Sequence, residues 1–163
     1  MEYAAPHSTT RDGISLMLIN LALGFAVMVL CLMLQSLLLA VAIRYYVKHG
    51  YELNSTSLMA SLEVVTVVML LLVIGNLGQV AIWAMVFQWL NEFEAFADAF
   101  YHSAVNFATL GYGDVVMSGH NRLLGPLEAI NGVLMIGVST ASLMAAFQDV
   151  LKRNLSARGQ RPA

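Results

Sequence analysis

The residue types best suited to chemistry lie in one short run, Thr109, Leu110, Gly111, Tyr112, Gly113 and Asp114. Two glycines flank an aromatic residue, and glycine adopts backbone conformations that residues with a Cβ atom resist. Successive carbonyl groups of such a run can therefore point the same way. A row of inward carbonyls, extended by a threonine hydroxyl, can replace the water shell of a cation. The run predicts a backbone site for a dehydrated cation, provided that neighbouring elements hold it in place.

The composition indicates which elements these are. Of the 163 residues, 59% are hydrophobic and 11% are charged, whereas a soluble domain carries about 25% charged residues. Residues 14–43, 58–90 and 123–151 each exceed the ~20 apolar residues that cross a bilayer core, so each predicts a transmembrane helix. The net charge of −2 argues against a nucleic-acid partner, which needs a basic surface.

The segment just before the run is too short to cross the membrane. Residues 95–108, the middle part of the connection 91–122, are apolar and fit a re-entrant helix. Irregular backbone at membrane depth is tolerated only where protein or a water-filled cavity covers it. Because one re-entrant loop cannot surround an ion, we expect several copies of the chain to close a ring around residues 109–114.

This arrangement resembles the potassium-channel family, whose filter reads Thr-Val-Gly-Tyr-Gly. The resemblance covers residues 58–151 and implies an all-α membrane protein: three transmembrane helices, a re-entrant pore helix and a selectivity filter, assembled as a tetramer. It implies that K⁺ is bound by the backbone carbonyls of Thr109, Leu110, Gly111 and Tyr112. It also implies that Gly113 completes the outer mouth of the pore. It also implies that Asp114 anchors the filter from behind and that Tyr101 and His102 surround it.

Some residues depart from the family pattern, and they concern the support of the filter. Val105 stands where some bacterial members have a glutamate paired with the aspartate, so we expect Asp114 to use another partner. Glu128, a turn or two into the third span, either hydrogen-bonds the pore helix or lies at the interface near Arg122.

Gly132 and Gly137 fall near the inner-helix hinge of the family, although glycine is also frequent in membrane helices generally.

The lysines and arginines predict the orientation. Most of them follow the first or the third span: Arg44, Lys48, Lys152, Arg153, Arg158 and Arg161. By the positive-inside rule the loop 44–57 and the tail 152–163 are cytoplasmic, and the tail 1–13 and the pore segment lie outside the cell. The first span lacks the repeated arginines of a voltage sensor. We interpret it as an additional helix packed against the pore domain.

These expectations describe a homotetrameric, potassium-selective channel in the cell membrane that conducts passively, without catalysis or a cofactor. Two alternatives stay open. One is a weakly selective cation channel, because packing around Leu110 could loosen the filter. The other is a non-conducting membrane subunit that modulates another protein. An enzyme is not indicated, because the sequence has no evident metal-ligand cluster and no evident Ser/His/Asp arrangement.

Overall fold

The computed structural model describes residues 10–52 and 58–159, and the regular secondary structure in these ranges is entirely helical. The helices are α1 (Thr10–Glu52), α2 (Leu58–Trp89), α3 (Phe96–Phe107) and α4 (Leu124–Gly159). Three of them contain segments long and apolar enough to cross a membrane, namely Gly13–Lys48, Leu62–Trp89 and Leu124–Lys152. The prediction of an all-α membrane protein with three spans is confirmed, and the short helix α3 lies between the second span and the third.

Two helices continue beyond the spans predicted for them. α1 extends past residue 43 to Glu52, so the first part of the predicted loop 44–57 is helical, while residues 53–57 lie outside the described part. α4 likewise continues through most of the predicted tail 152–163. In both places polar residues end the apolar pattern without a proline to break the helix. The end of an apolar span is therefore not the end of the helix.

The described residues pack into two compact units. One unit comprises the described residues up to Leu30 together with Val80–Gly132, and it contains α3 and the connections on either side of it. The other comprises Cys31–Gln79 and Val133–Ala163. We refer to them as the filter unit and the helical unit.

Aromatic residues form the core of the filter unit. Trp83 and Phe87 on α2 are fully buried, and their ring centroids are 5.8 Å apart. The Phe87 ring in turn meets the His102 ring of α3 edge-on, with centroids 5.6 Å apart. Leu124, the first residue of α4, is also fully buried. These contacts hold α3 against the end of α2.

The helical unit contains an apolar cluster of Ala42, Val68 and Leu72. It also contains a row of buried, hydrogen-bonded polar side chains, which we call the polar chain. Gln79 donates a hydrogen bond to the side-chain carbonyl of Gln35 at 2.8 Å, and the Gln35 amide donates to the Ser139 hydroxyl at 2.9 Å. The three residues belong to α2, α1 and α4 and are all buried. Amide and hydroxyl groups inside a membrane protein commonly join helices in this way.

Candidate functional site

α3 ends in a motif that leads directly into residues 109–114, which we call the candidate filter. The Thr109 N–H donates to the Asn106 carbonyl and the Leu110 N–H donates to the Val105 carbonyl, both at 2.8 Å. This pair of bonds is the Schellman ending of a helix, in which the residue after the cap takes a left-handed conformation. Thr109 accordingly has a φ of 59°.

Threonine is an unusual residue for that position. Glycine, and less often asparagine, is typical there, and α2 ends in the same way with Asn91 at a φ of 56°. A β-branched residue in the left-handed region is a genuine outlier that costs about 1–3 kcal/mol. Such strain is concentrated at functional sites. The hydroxyl group of Thr109, which glycine and asparagine do not offer, is therefore a candidate functional group.

Left-handed residues alternate along the candidate filter. Thr109, Gly111 and Gly113 have φ angles of 59°, 59° and 74°, whereas Leu110 and Tyr112 between them do not have positive φ. Residues with positive φ thus alternate with residues without it, so the backbone of this run is neither helical nor extended. That these residues present a row of aligned carbonyl groups stays a prediction.

Tyr101 binds the carboxylate of Asp114. The Tyr101 hydroxyl donates to Oδ2 at 2.7 Å, and the Val115 N–H donates to Oδ1 at 3.0 Å. The hydrogen bond from Tyr101 is the main reason why the pKa of Asp114 lies below its ordinary value. The same bond raises the pKa of Tyr101. Asp114 therefore has the alternative partner that the sequence required, while Val105 is buried and apolar.

His102 holds the residue after Asp114. Its Nδ1 atom lies 2.8 Å from the Val115 carbonyl oxygen. A carbonyl only accepts, so Nδ1 carries the hydrogen, and Nε2 is then free to accept from the Asn106 amide at 2.9 Å. α3 thus binds Asp114 and the following residue, Val115, through Tyr101 and His102. These are the two side chains that the resemblance placed around the filter.

Glu92, in the connection between α2 and α3, binds the loop that follows the candidate filter. Its Oε2 accepts from the Ser118 N–H at 2.6 Å, and its Oε1 accepts from the Ser118 hydroxyl at 2.7 Å and the Asn121 amide at 2.6 Å. Partial burial raises the pKa of Glu92, but the hydrogen bonds from Ser118 and Asn121 outweigh it, so this pKa lies below its ordinary value. The sequence does not predict this contact, because no local pattern links residues so far apart.

Glu128 contacts α3 rather than lying at an interface near Arg122. It is fully buried on α4, and the Ser103 hydroxyl of α3 hydrogen-bonds its Oε1. The same hydroxyl lies 2.8 Å from the Val80 carbonyl of α2. Ser103 therefore joins α3 to both neighbouring helices. The contact with the short helix agrees with one of the two sequence interpretations, and a role of Glu128 in supporting the filter stays a prediction.

The two glycines predicted as hinge residues have different surroundings. A Cβ atom on Gly132 would collide with the backbone carbonyl group of Phe107, at the end of α3, whereas one on Gly137 would meet nothing within 4 Å. Gly132 therefore allows the end of α3 to approach α4 closely. A hinge at either residue stays a prediction.

The geometry agrees with the one comparison that gives a match. A family model described as ion channel matches residues 66–149, more than half of the chain. The match covers α3, the candidate filter and large parts of α2 and α4, and it leaves α1 out. No curated protein and no solved structure matches the chain.

Proposed function

The chain belongs to the ion channel family whose model it matches, and from this premise we propose that it is a potassium-selective channel. Four copies form a passive pathway for K⁺ across the cell membrane. In each copy the carbonyl oxygens of Thr109, Leu110, Gly111 and Tyr112, with the Thr109 hydroxyl, replace the water around the ion. The alternating left-handed residues of the candidate filter are the observation that carries this proposal.

The end of α3 supports the presence of a cation at this place. The last carbonyl groups of a helix carry a partial negative charge, and α3 ends at Phe107, just before the candidate filter. Its last turn contains no basic residue. A cation next to Thr109 would therefore lie in a favourable field, whereas an anion would not.

The exposure of the candidate filter on a single chain supports a ring of copies. Leu110 is 55% and Tyr112 is 66% exposed. Irregular backbone cannot face lipid, because its polar groups would have no partners. Several chains around one axis would cover these residues and surround the ion with oxygen atoms, and the resemblance to potassium channels makes their number four.

The proposed orientation follows from the basic residues. Arg44, Lys48 and Lys152 lie near the ends of the first and third spans. If these basic ends of the two spans lie in the cytoplasm, the N-terminus and the Asp114 end of the candidate filter face outward. Gly113 then lies at the outer mouth of the pore.

Potassium and sodium flux from liposomes that contain the purified protein tests the proposal. We expect K⁺ efflux well above that of protein-free liposomes and little Na⁺ efflux. Equal efflux of both ions would favour a weakly selective channel. Absence of efflux of either ion would favour a non-conducting subunit and contradict the proposal.

Two alanine variants test the role of the backbone in the same assay. Gly111→Ala places a Cβ atom on a left-handed residue, which costs about 1–2 kcal/mol in each chain, so K⁺ flux should fall about tenfold or more. Gly78→Ala is the matched control, because Gly78 lies on α2, outside the candidate filter, and has open surroundings and no positive φ. Equal flux from the two variants would show that the alternating backbone is not needed.

A further inference from the structure

α1 carries a buried amide that binds the loop after the candidate filter. Asn20 is only 3% exposed, although it lies within an apolar span. Its Nδ2 atom donates to the His120 carbonyl at 2.6 Å. Burial of an amide costs free energy unless the group is hydrogen-bonded, so the bond to His120 compensates for the burial of Asn20.

Close packing fixes the position of this amide. Gly24 lies one turn further along α1, on the same face as Asn20. A Cβ atom on Gly24 would lie 2.5 Å from Leu127 Cδ1 and 3.4 Å from Leu124 Cδ2. α1 therefore lies directly against the first turn of α4, and Asn20 has a defined place beside the loop that leads into α4.

The loop between Asp114 and α4 is held at three points by three different elements. α3 binds Val115 through His102, and the connection before α3 binds Ser118 through Glu92. α1 binds His120 through Asn20. The third point comes from a helix outside the range that the family model matches.

We propose that Asn20 is a positioning residue for the candidate filter. By holding the His120 carbonyl, α1 limits the movement of the loop, and the loop keeps the carbonyl groups of the candidate filter at the spacing that K⁺ requires. α1 then contributes to ion selection and does more than fill space beside the pore. This inference rests on the proposed potassium-selective function.

Two substitutions remove the bond in different ways. Asn20→Leu keeps the number and branching of the side-chain heavy atoms and has no donor. Asn20→Thr keeps a donor but can satisfy it within α1, because a helical threonine or serine hydroxyl can donate to the carbonyl four residues earlier, as Ser36 does to Leu32 and Thr140 to Ile136. The threonine variant therefore loses the loop contact without leaving a buried polar group unsatisfied. Ser36→Ala is the matched control on the same helix, since Ser36 is exposed and its hydroxyl donates to the Leu32 carbonyl within α1.

The decisive readouts are the K⁺/Na⁺ permeability ratio and the stabilisation of the purified protein by K⁺ relative to Na⁺. An ion that binds only the folded assembly raises its melting temperature. We expect both Asn20 variants to reduce the permeability ratio about threefold to tenfold, the range of one hydrogen bond. Both should also melt at a temperature that responds less to K⁺ than that of the wild type. Ser36→Ala should match the wild type in both measurements.

A purely structural role would give a different pattern. It would lower the melting temperature equally in K⁺ and Na⁺ and leave the permeability ratio unchanged, and this result in Asn20→Thr would overturn the inference. If Asn20→Leu does not assemble, Asn20→Thr decides alone. A wild type that does not select K⁺ would refute the proposed function, whereas a selective wild type and equally selective variants would refute only the role of Asn20.

Discussion

At the scale of single residues, Thr109 combines a strained backbone conformation with a hydroxyl group that can bind a cation. The Schellman ending of α3 would be less strained with glycine, but glycine has no hydroxyl group. The sequence predicted the candidate filter because two glycines around a tyrosine are distinctive. It did not predict a left-handed threonine, because β-branched residues avoid that region.

The pair of Tyr101 and Asp114 leads to a prediction about pH. The Tyr101 hydroxyl lowers the pKa of Asp114, so the contribution of this pair to stability is complete at neutral pH. It is lost as the pH falls through the lowered pKa, which lies below the ordinary aspartate value of about 4. In Tyr101→Phe the pKa of Asp114 should return towards that value. Potassium flux measured over an acid pH series should therefore decline at a higher pH in the variant than in the wild type.

A second tyrosine provides the control for this experiment. Tyr46 donates to Asp149 at 2.9 Å in the helical unit, so Tyr46→Phe removes a similar pair outside the filter unit. Its acid response should match that of the wild type. If Tyr101→Phe and the wild type decline at the same pH, the hydrogen bond to Asp114 does not govern the acid response.

At the scale of elements, span length and apolar content were sufficient to predict the helices. Residues 95–108 were too short to cross a membrane, and α3 occupies Phe96–Phe107. The contacts that hold the loop after the candidate filter were not predictable. Glu92 with Ser118 and Asn20 with His120 join residues far apart in the chain, and the types of those residues occur in many solvated loops and membrane helices.

The contact between α3 and α4 predicts different effects for the two glycines of α4. In Gly132→Ala the new Cβ atom would collide with the Phe107 backbone, which cannot turn aside as a side chain can. We expect this variant to displace the end of α3 and lose K⁺ flux. Gly137→Ala has open surroundings and should raise helix stability by about 0.5–1 kcal/mol. Melting temperature and K⁺ flux of both variants measure these effects.

Two results would change this view of α4. Normal flux from Gly132→Ala would show that α3 tolerates a larger separation from α4. Loss of flux from Gly137→Ala, with its stability unchanged or raised, would support the predicted hinge, because alanine restricts the backbone without a new contact.

The polar chain of the helical unit predicts non-additive effects on stability. Gln35→Leu leaves the Gln79 amide and the Ser139 hydroxyl without their bonds to Gln35, at a cost of about 1–3 kcal/mol for a buried unsatisfied group. The double variant Gln35→Leu/Gln79→Leu removes the unpaired Gln79 amide as well and should recover part of the loss. Unfolding free energies of the single and double variants form a cycle that measures the coupling. Additive losses would show that the two glutamines act independently.

At the scale of the whole molecule, the chain leaves much of its apolar surface without a partner of its own. In the most apolar 18-residue stretch of each candidate span, only 22% of the residues of the first span, 33% of the second and 17% of the third are buried within the chain. Lipid covers such surface in a membrane protein, and in the proposed tetramer further copies of the chain would cover part of it. We expect the protein purified in a mild detergent to have the mass of four 17.7 kDa chains, measured by native mass spectrometry. A single chain or a dimer at all concentrations would contradict a ring of four candidate filters.

The most direct measurement is the reversal potential across a bilayer that contains the purified protein, with K⁺ on one side and an equal concentration of Na⁺ on the other. A potassium-selective channel should give a potential of the sign expected for K⁺ and larger than about 59 mV, which corresponds to a tenfold permeability ratio. A reversal potential near zero would show equal permeability to the two ions. That result would contradict the proposal that the candidate filter selects K⁺.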